Sequence, residues 1–119
     1  LRDMGCHEIS LGDTIGRAHP EAVDVMLRAV VEAVPAEQLA GHFHDTMGRA
    51  LDNIEVALGH GVRIFDAAVG GLGGCPYAPG AEGNVATESV VQMLETLGYT
   101  TGIDTARLAQ AAAFARTLR

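Results

Sequence analysis

The sequence predicts an α/β fold of parallel strand–helix units, on three observations. Short β-branched runs alternate with segments of helical apolar spacing. Glycine and proline punctuate the joins. Apolar residues make up 48% of the 119 residues and charged residues 19%, enough for one globular domain with its own core. Strands that alternate with helices imply a parallel sheet with crossover connections. From pattern alone, both a small doubly wound sheet and part of a (β/α)₈ barrel fit, the second needing about 250 residues when whole.

The first unit opens with a strand at His7-Glu8-Ile9-Ser10-Leu11, followed by a loop over residues 12–16. Pro20 suits the first helical position, and Val23, Leu27, Val30, Val31 and Val34 recur at helical spacing before Pro35 stops the run. The second strand is Leu39-Ala40-Gly41-His42-Phe43-His44, and its helix carries Leu51, Ile54 and Leu58 up to Gly59 and Gly61. The third strand spans residues 62–69. Its β-branched, nearly continuous apolar character predicts a strand covered on both faces. A loop from Gly70 to Gly83 holds six glycines. Thr87 is the expected cap of the next helix, which carries Val90, Val91, Leu94 and Leu97 and ends at Gly98. Asp104 is the expected cap of a last helix, with Ile103 and Leu108 at staple positions.

A formal net charge of −7 and the lack of any basic run argue against nucleic-acid binding, which needs cations to displace phosphate counterions. No apolar stretch is long enough to predict a membrane span, and no leader is expected at the start. Two cysteines in an acidic chain suggest reduced thiols and a cytoplasmic setting. Because residue 1 is Leu, the chain reads as a processed product or a piece of something longer.

Three places bear chemistry. His42 and His44 stand two apart on a strand and so share a face, with Phe43 on the other. Two imidazoles so placed can chelate a divalent ion, and equally can be core histidines bonded to backbone or carboxylate. The run from Gly70 to Asn84 follows the third strand and sets Cys75 between Gly74 and Pro76, a context unlike that of a core thiol. It lacks the Lys-Ser/Thr of a phosphate loop and the glycine spacing of a dinucleotide fingerprint. Asp13, expected just past the first strand, can transfer a proton or orient a ligand, or can simply bond loop amides. Glu8 and Asp66 read as strand carboxylates suited to cross-sheet salt bridges, and His7, His19 and His60 as surface residues.

Read together, residues 8–16 (EISLGDTIG), 42–46 (HFHDT) and 71–84 (GLGGCPYAPGAEGN) closely resemble the 3-hydroxy-3-methylglutaryl-CoA lyase family, in the same order and over nearly the whole chain. The glycine loop with its cysteine is the most diagnostic part. Isopropylmalate and homocitrate synthases share the histidine pair but carry another glycine motif there. The resemblance implies the C-terminal portion, about three strands, of a TIM (β/α)₈ barrel, with residues 1–119 a partial catalytic domain whose N-terminal strands are missing. It implies a carbon–carbon lyase that cleaves 3-hydroxy-3-methylglutaryl-CoA to acetyl-CoA and acetoacetate in leucine degradation. It also implies a divalent cation, Mg²⁺ or Mn²⁺, an acyl-CoA substrate, and a homo-oligomer for the full-length enzyme. Carried over by residue, His42, His44 and Asn84 resemble metal ligands, and Cys75, Asp13 and His42 catalytic groups. Gly73, Gly74, Gly80 and Gly83 belong to the mobile loop.

Two departures stand out. Arg2-Asp3 precedes the wrong strand to match the family's Arg-Asp pair, which supplies a substrate contact and a further ligand. Ala67-Ala68 replaces hydroxyl residues usual before the loop. An isolated chain lacking those strands is expected to be inactive, with open strand edges that favour association. An acyl-CoA-dependent synthase of the same superfamily, and a metal-binding half-barrel without catalysis, are the alternatives.

Overall fold

A computed structural model describes residues 1–73 and 83–118. Three parallel strands lie in the order β1 (Ile9–Asp13), β2 (Leu39–Phe43) and β3 (Ile64–Asp66). Helix α1 (Pro20–Ala33) joins the first two and α2 (Ala50–Gly59) the second pair, and α3 (Thr87–Thr96) and α4 (Thr105–Arg116) follow. Short 3-10 turns occupy Arg2–Met4, Ala36–Gln38 and Val69–Gly71.

The strand bounds shift from those expected, for reasons of pairing. Ile9 pairs with Leu39, the first residue of β2, so His7 and Glu8 have no ladder partner and stay exposed. Asp13 pairs with Phe43 and is the last residue of β1 rather than part of the loop. β3 keeps three residues because the backbone beyond it is taken up elsewhere: the Ala68 amide donates to the Val85 carbonyl at 3.0 Å.

Helix ends follow the sequence closely, with two differences. Pro20 starts α1, and the preceding His19 caps it, its Nδ1 accepting from the Ala22 amide at 3.3 Å. A backbone hydrogen bond, with His19 beside it, holds the Glu21 carboxyl below its ordinary range. Asp104 caps α4, accepting from the Arg107 amide at 3.1 Å. Thr87 is the first residue of α3 and makes no cap bond, Ala86 standing at the cap position instead. His60 is not a plain surface residue. Its Nε2 lies 2.7 Å from Asp24 Oδ1, tying the end of α2 to α1.

α1 and α2 pack on each other and on one face of the sheet. Val23 and Leu27 from α1 and Ile54, Ala57 and Leu58 from α2 meet Leu39 and Phe43 from β2 in a single core. Gly41 permits this: a Cβ there would lie 2.8 Å from the Phe43 ring. The opposite face carries Ser10 and Gly12, Ala40 and His42, Ile64 and Asp66. Here Ile64 and Asp66 are exposed, so β3 is not covered on both faces as its composition suggested. A doubly wound sheet places helices on both faces, whereas successive helices on one face leave the other for a barrel interior.

Candidate active site

The carboxyl ends of β2 and β3 are stitched together by the segment that returns from the glycine loop. Asp45 donates its amide to the Gly83 carbonyl at 2.9 Å, and Val85 donates to Phe43 at 3.4 Å. These bonds set His44 and Asn84 opposite each other in an antiparallel bridge, while Ala68 and Ala86 pair on the other side. Residues forty apart in sequence are thereby brought to one rim.

His42 and His44 share this rim, their ring centroids 4.9 Å apart and the planes tilted by 60°. Phe43 points into the core, as strand alternation requires. His44 is buried, and its Nδ1 has no hydrogen-bond partner among the described residues. Asn84 donates from Nδ2 to the Leu72 carbonyl at 3.2 Å, which fixes the amide so that Oδ1 is a buried acceptor with no partner among the described residues. Gly73, at φ +90°, makes room for this arrangement, since a Cβ there would lie 2.9 Å from Asn84 Nδ2. Gly83, at φ +80°, lies at the other end of the loop.

A buried polar atom left without a partner costs about 1–3 kcal/mol, and an amide oxygen such as Asn84 Oδ1 suits a cation. The donor set of imidazole nitrogen and amide oxygen is compatible with a divalent ion. Among the described residues no group of three His, Cys, Asp or Glu is arranged to hold a metal, and the third oxygen or nitrogen atom at this rim belongs to the amide of Asn84.

Asp13 is placed differently. It lies at the same strand end but on the face of Ile9 and Leu11, in register with Phe43. Its Oδ1 accepts from the Arg17 amide at 3.1 Å and its Oδ2 from Ala18 at 2.8 Å, so the carboxylate bonds loop amides. Cys75, Gly74 and Gly80 lie outside the described residues. Asp66, read from sequence as a salt-bridge carboxylate, bonds His42 Nδ1. Its signal was present in the alternation of β3, but finding its partner required the register of β2 on β3. No salt bridge joins Glu8 across the sheet among the described residues.

A protein-family model described as HMGL-like matches residues 1–115. The chain belongs to this HMGL-like family. A hydroxymethylglutaryl-CoA lyase of Pseudomonas mevalonii is 53% identical over 110 residues, 92% of this chain and 36% of that protein. The solved HMG-CoA lyase of Brucella melitensis superimposes with a TM-score of 0.96 at 60% identity, covering 99% of this chain and 42% of that one. An HMG-CoA lyase from Acenitobacter baumannii, solved with coenzyme A and 3-methylmalate, matches at TM-score 0.86 and 47% identity over 93% of this chain and 36% of that one. Relatives in the family include lyases named as mitochondrial and as cytoplasmic. The chain thus spans well under half the length of these HMGL-like relatives, and its three strands match part of their TIM barrel.

Proposed function

We propose that this chain forms the metal-holding, loop-bearing part of a hydroxymethylglutaryl-CoA lyase, which cleaves 3-hydroxy-3-methylglutaryl-CoA to acetyl-CoA and acetoacetate in leucine degradation. The observation that carries the proposal is the pair of buried polar atoms, His44 Nδ1 and Asn84 Oδ1, that have no partner among the described residues, near His42 in a chain of this family. In the proposal residues 1–119 are a partial catalytic domain, completed by strands that the longer relatives possess. Mg²⁺ or Mn²⁺ is the cation, acyl-CoA the substrate class, the cytoplasm the location, and a homo-oligomer the state of the whole enzyme. No described helix is long and apolar enough to cross a membrane.

His42, His44 and Asn84 would hold the cation, whose contribution when bound is to polarise the tertiary hydroxyl of the substrate and favour its ionised form. The chain's own groups do the rest. His42 is the candidate proton carrier at the rim, and the thiol of Cys75 the candidate catalytic group on the loop. Gly73 and Gly83 flank that loop with backbone in the left-handed region, which supports a hinge able to close over substrate and exclude water. Asp13 enters as a catalytic carboxylate through the resemblance. Its two loop-amide bonds support a role in shaping the β1–α1 loop at the mouth of the site.

Binding of metal without turnover is a second reading, which the rim of His42, His44 and Asn84 would equally support. Acetoacetate release from the hydroxymethylglutaryl thioester, abolished by Cys75→Ala, supports the lyase. Uptake of Mn²⁺ with no product supports the second reading. In a titration His42→Ala is expected to weaken Mn²⁺ binding more than His19→Ala, which removes the cap of α1 and its contact with Glu21. Equal effects would show that the rim histidines are not ligands.

A further inference from the structure

His42 is held by a residue to which the reading above gives no task. In the ladder of β2 on β3, His42 pairs in register with Asp66, so both side chains project from the same open face. The Asp66 carboxylate bonds Nδ1 of the ring. On the other flank the register partner of His42 is Gly12, which has no side chain to compete for the imidazole. Asp66 itself is 60% exposed, so packing does not explain the residue.

An ionised carboxylate can only accept hydrogen bonds, so the ring nitrogen facing it must donate. A neutral imidazole with its proton on Nδ1 carries its lone pair on Nε2, at the far side of the ring. We propose that Asp66 is a positioning residue for His42: it fixes the Nδ1–H tautomer and the ring orientation, and so presents Nε2 as the open donor at the rim shared with His44 and Asn84. The inference rests on the cation reading given under Proposed function and deepens it. Carboxylates that accept from the far nitrogen of a ligating histidine raise its basicity, and their loss typically weakens metal binding about 10- to 100-fold. The carboxylate cannot be replaced by an amide without loss, because an asparagine can turn its NH₂ toward Nδ1 and stabilise the opposite tautomer.

The test uses the 119-residue chain, labelled with ¹⁵N, with Asp66→Asn, Asp66→Glu and His42→Ala. Long-range ¹H–¹⁵N spectra of the metal-free protein report which ring nitrogen of His42 bears the proton. Calorimetric titration with Mn²⁺ reports affinity. The wild-type ring is expected as Nδ1–H. Asp66→Asn is expected to shift it toward Nε2–H and to weaken Mn²⁺ binding about 10- to 100-fold, with Asp66→Glu recovering part of both. A wild-type ring protonated on Nε2 overturns the proposal. So does an Asp66→Asn variant that keeps both tautomer and affinity while His42→Ala loses Mn²⁺. If the wild type takes up no Mn²⁺, the cation reading fails. A ring held as Nδ1–H that switches in Asp66→Asn would still uphold Asp66 as the residue that sets His42.

Discussion

Asn84 offers the sharpest quantitative test of the rim, because a second asparagine provides its control. Both residues donate from Nδ2 to a backbone carbonyl, Asn84 to Leu72 at 3.2 Å and Asn53 to Ala18 at 3.1 Å. Both leave Oδ1 buried without a partner among the described residues, and of the two Asn84 is the one bridged to His44. An unpartnered buried acceptor costs about 1–3 kcal/mol, and a bound cation would relieve that cost at Asn84. Asn84→Ala therefore forfeits about 1–3 kcal/mol of binding, which at 1.4 kcal/mol per decade is an affinity about 5- to 150-fold weaker for Mn²⁺. Stability moves little, since the lost hydrogen bond, worth about 1 kcal/mol, is offset by removal of the stranded oxygen. Asn53→Ala leaves the affinity within about twofold of wild type, because ligands contribute where they meet the ion and nowhere else. Calorimetric titration gives the affinities and urea melts the stabilities. Equal weakening by both substitutions, or an unchanged affinity in Asn84→Ala, would refute the reasoning that the stranded oxygen at the rim is a ligand.

Two further outcomes concern the frame around the rim. Gly16 sits at φ +67° against Thr46, and a Cβ there would fall 2.5 Å from the Thr46 Cβ and 2.9 Å from its amide nitrogen. Gly16→Ala should cost about 1–2 kcal/mol for the left-handed backbone and about 1–3 kcal/mol more for the overlap. In urea melts, Thr46→Gly should recover the side-chain share of that overlap in a double-mutant cycle, the contact with the amide nitrogen remaining, and zero coupling would show that the two loops do not touch. Glu88 accepts from the Gly70 amide and from Arg116, both at 3.0 Å, and so binds the start of the glycine loop to α4. Glu88→Gln is expected to destabilise the chain by about 1–2 kcal/mol and to speed amide exchange at Gly70. Unchanged exchange would show that the carboxylate does not anchor the loop.

Much of the architecture was legible from local chemistry. Pro20, Pro35 and Asp104 act through their own backbone or the next turn, so the limits of α1 and the cap of α4 could be read from sequence. The alternation that sends Phe43 inward and His42 outward is likewise a property of one strand. The ends of β1 and β3 were misplaced because a strand extends only as far as its partner's backbone. Leu39 sets where β1 begins, and Val85 takes the bond beyond β3. Composition made β3 look covered on both faces, but which faces helices cover depends on the side to which α1 and α2 return.

The order of its residues alone determined that this protein is a parallel α/β chain with two histidines on one pleat, and it carried the motif set that relates it to its family. Those features arise within a strand, a helix turn or a contiguous loop. Tertiary structure decided what each polar group meets: Asp66 bonding His42, Asp13 turned to the loop amides, and Asn84 brought opposite His44. The reason is physical. Hydrogen bonds between side chains tens of residues apart depend on strand register and on the path of returning segments, and both are set by the packing of the whole chain.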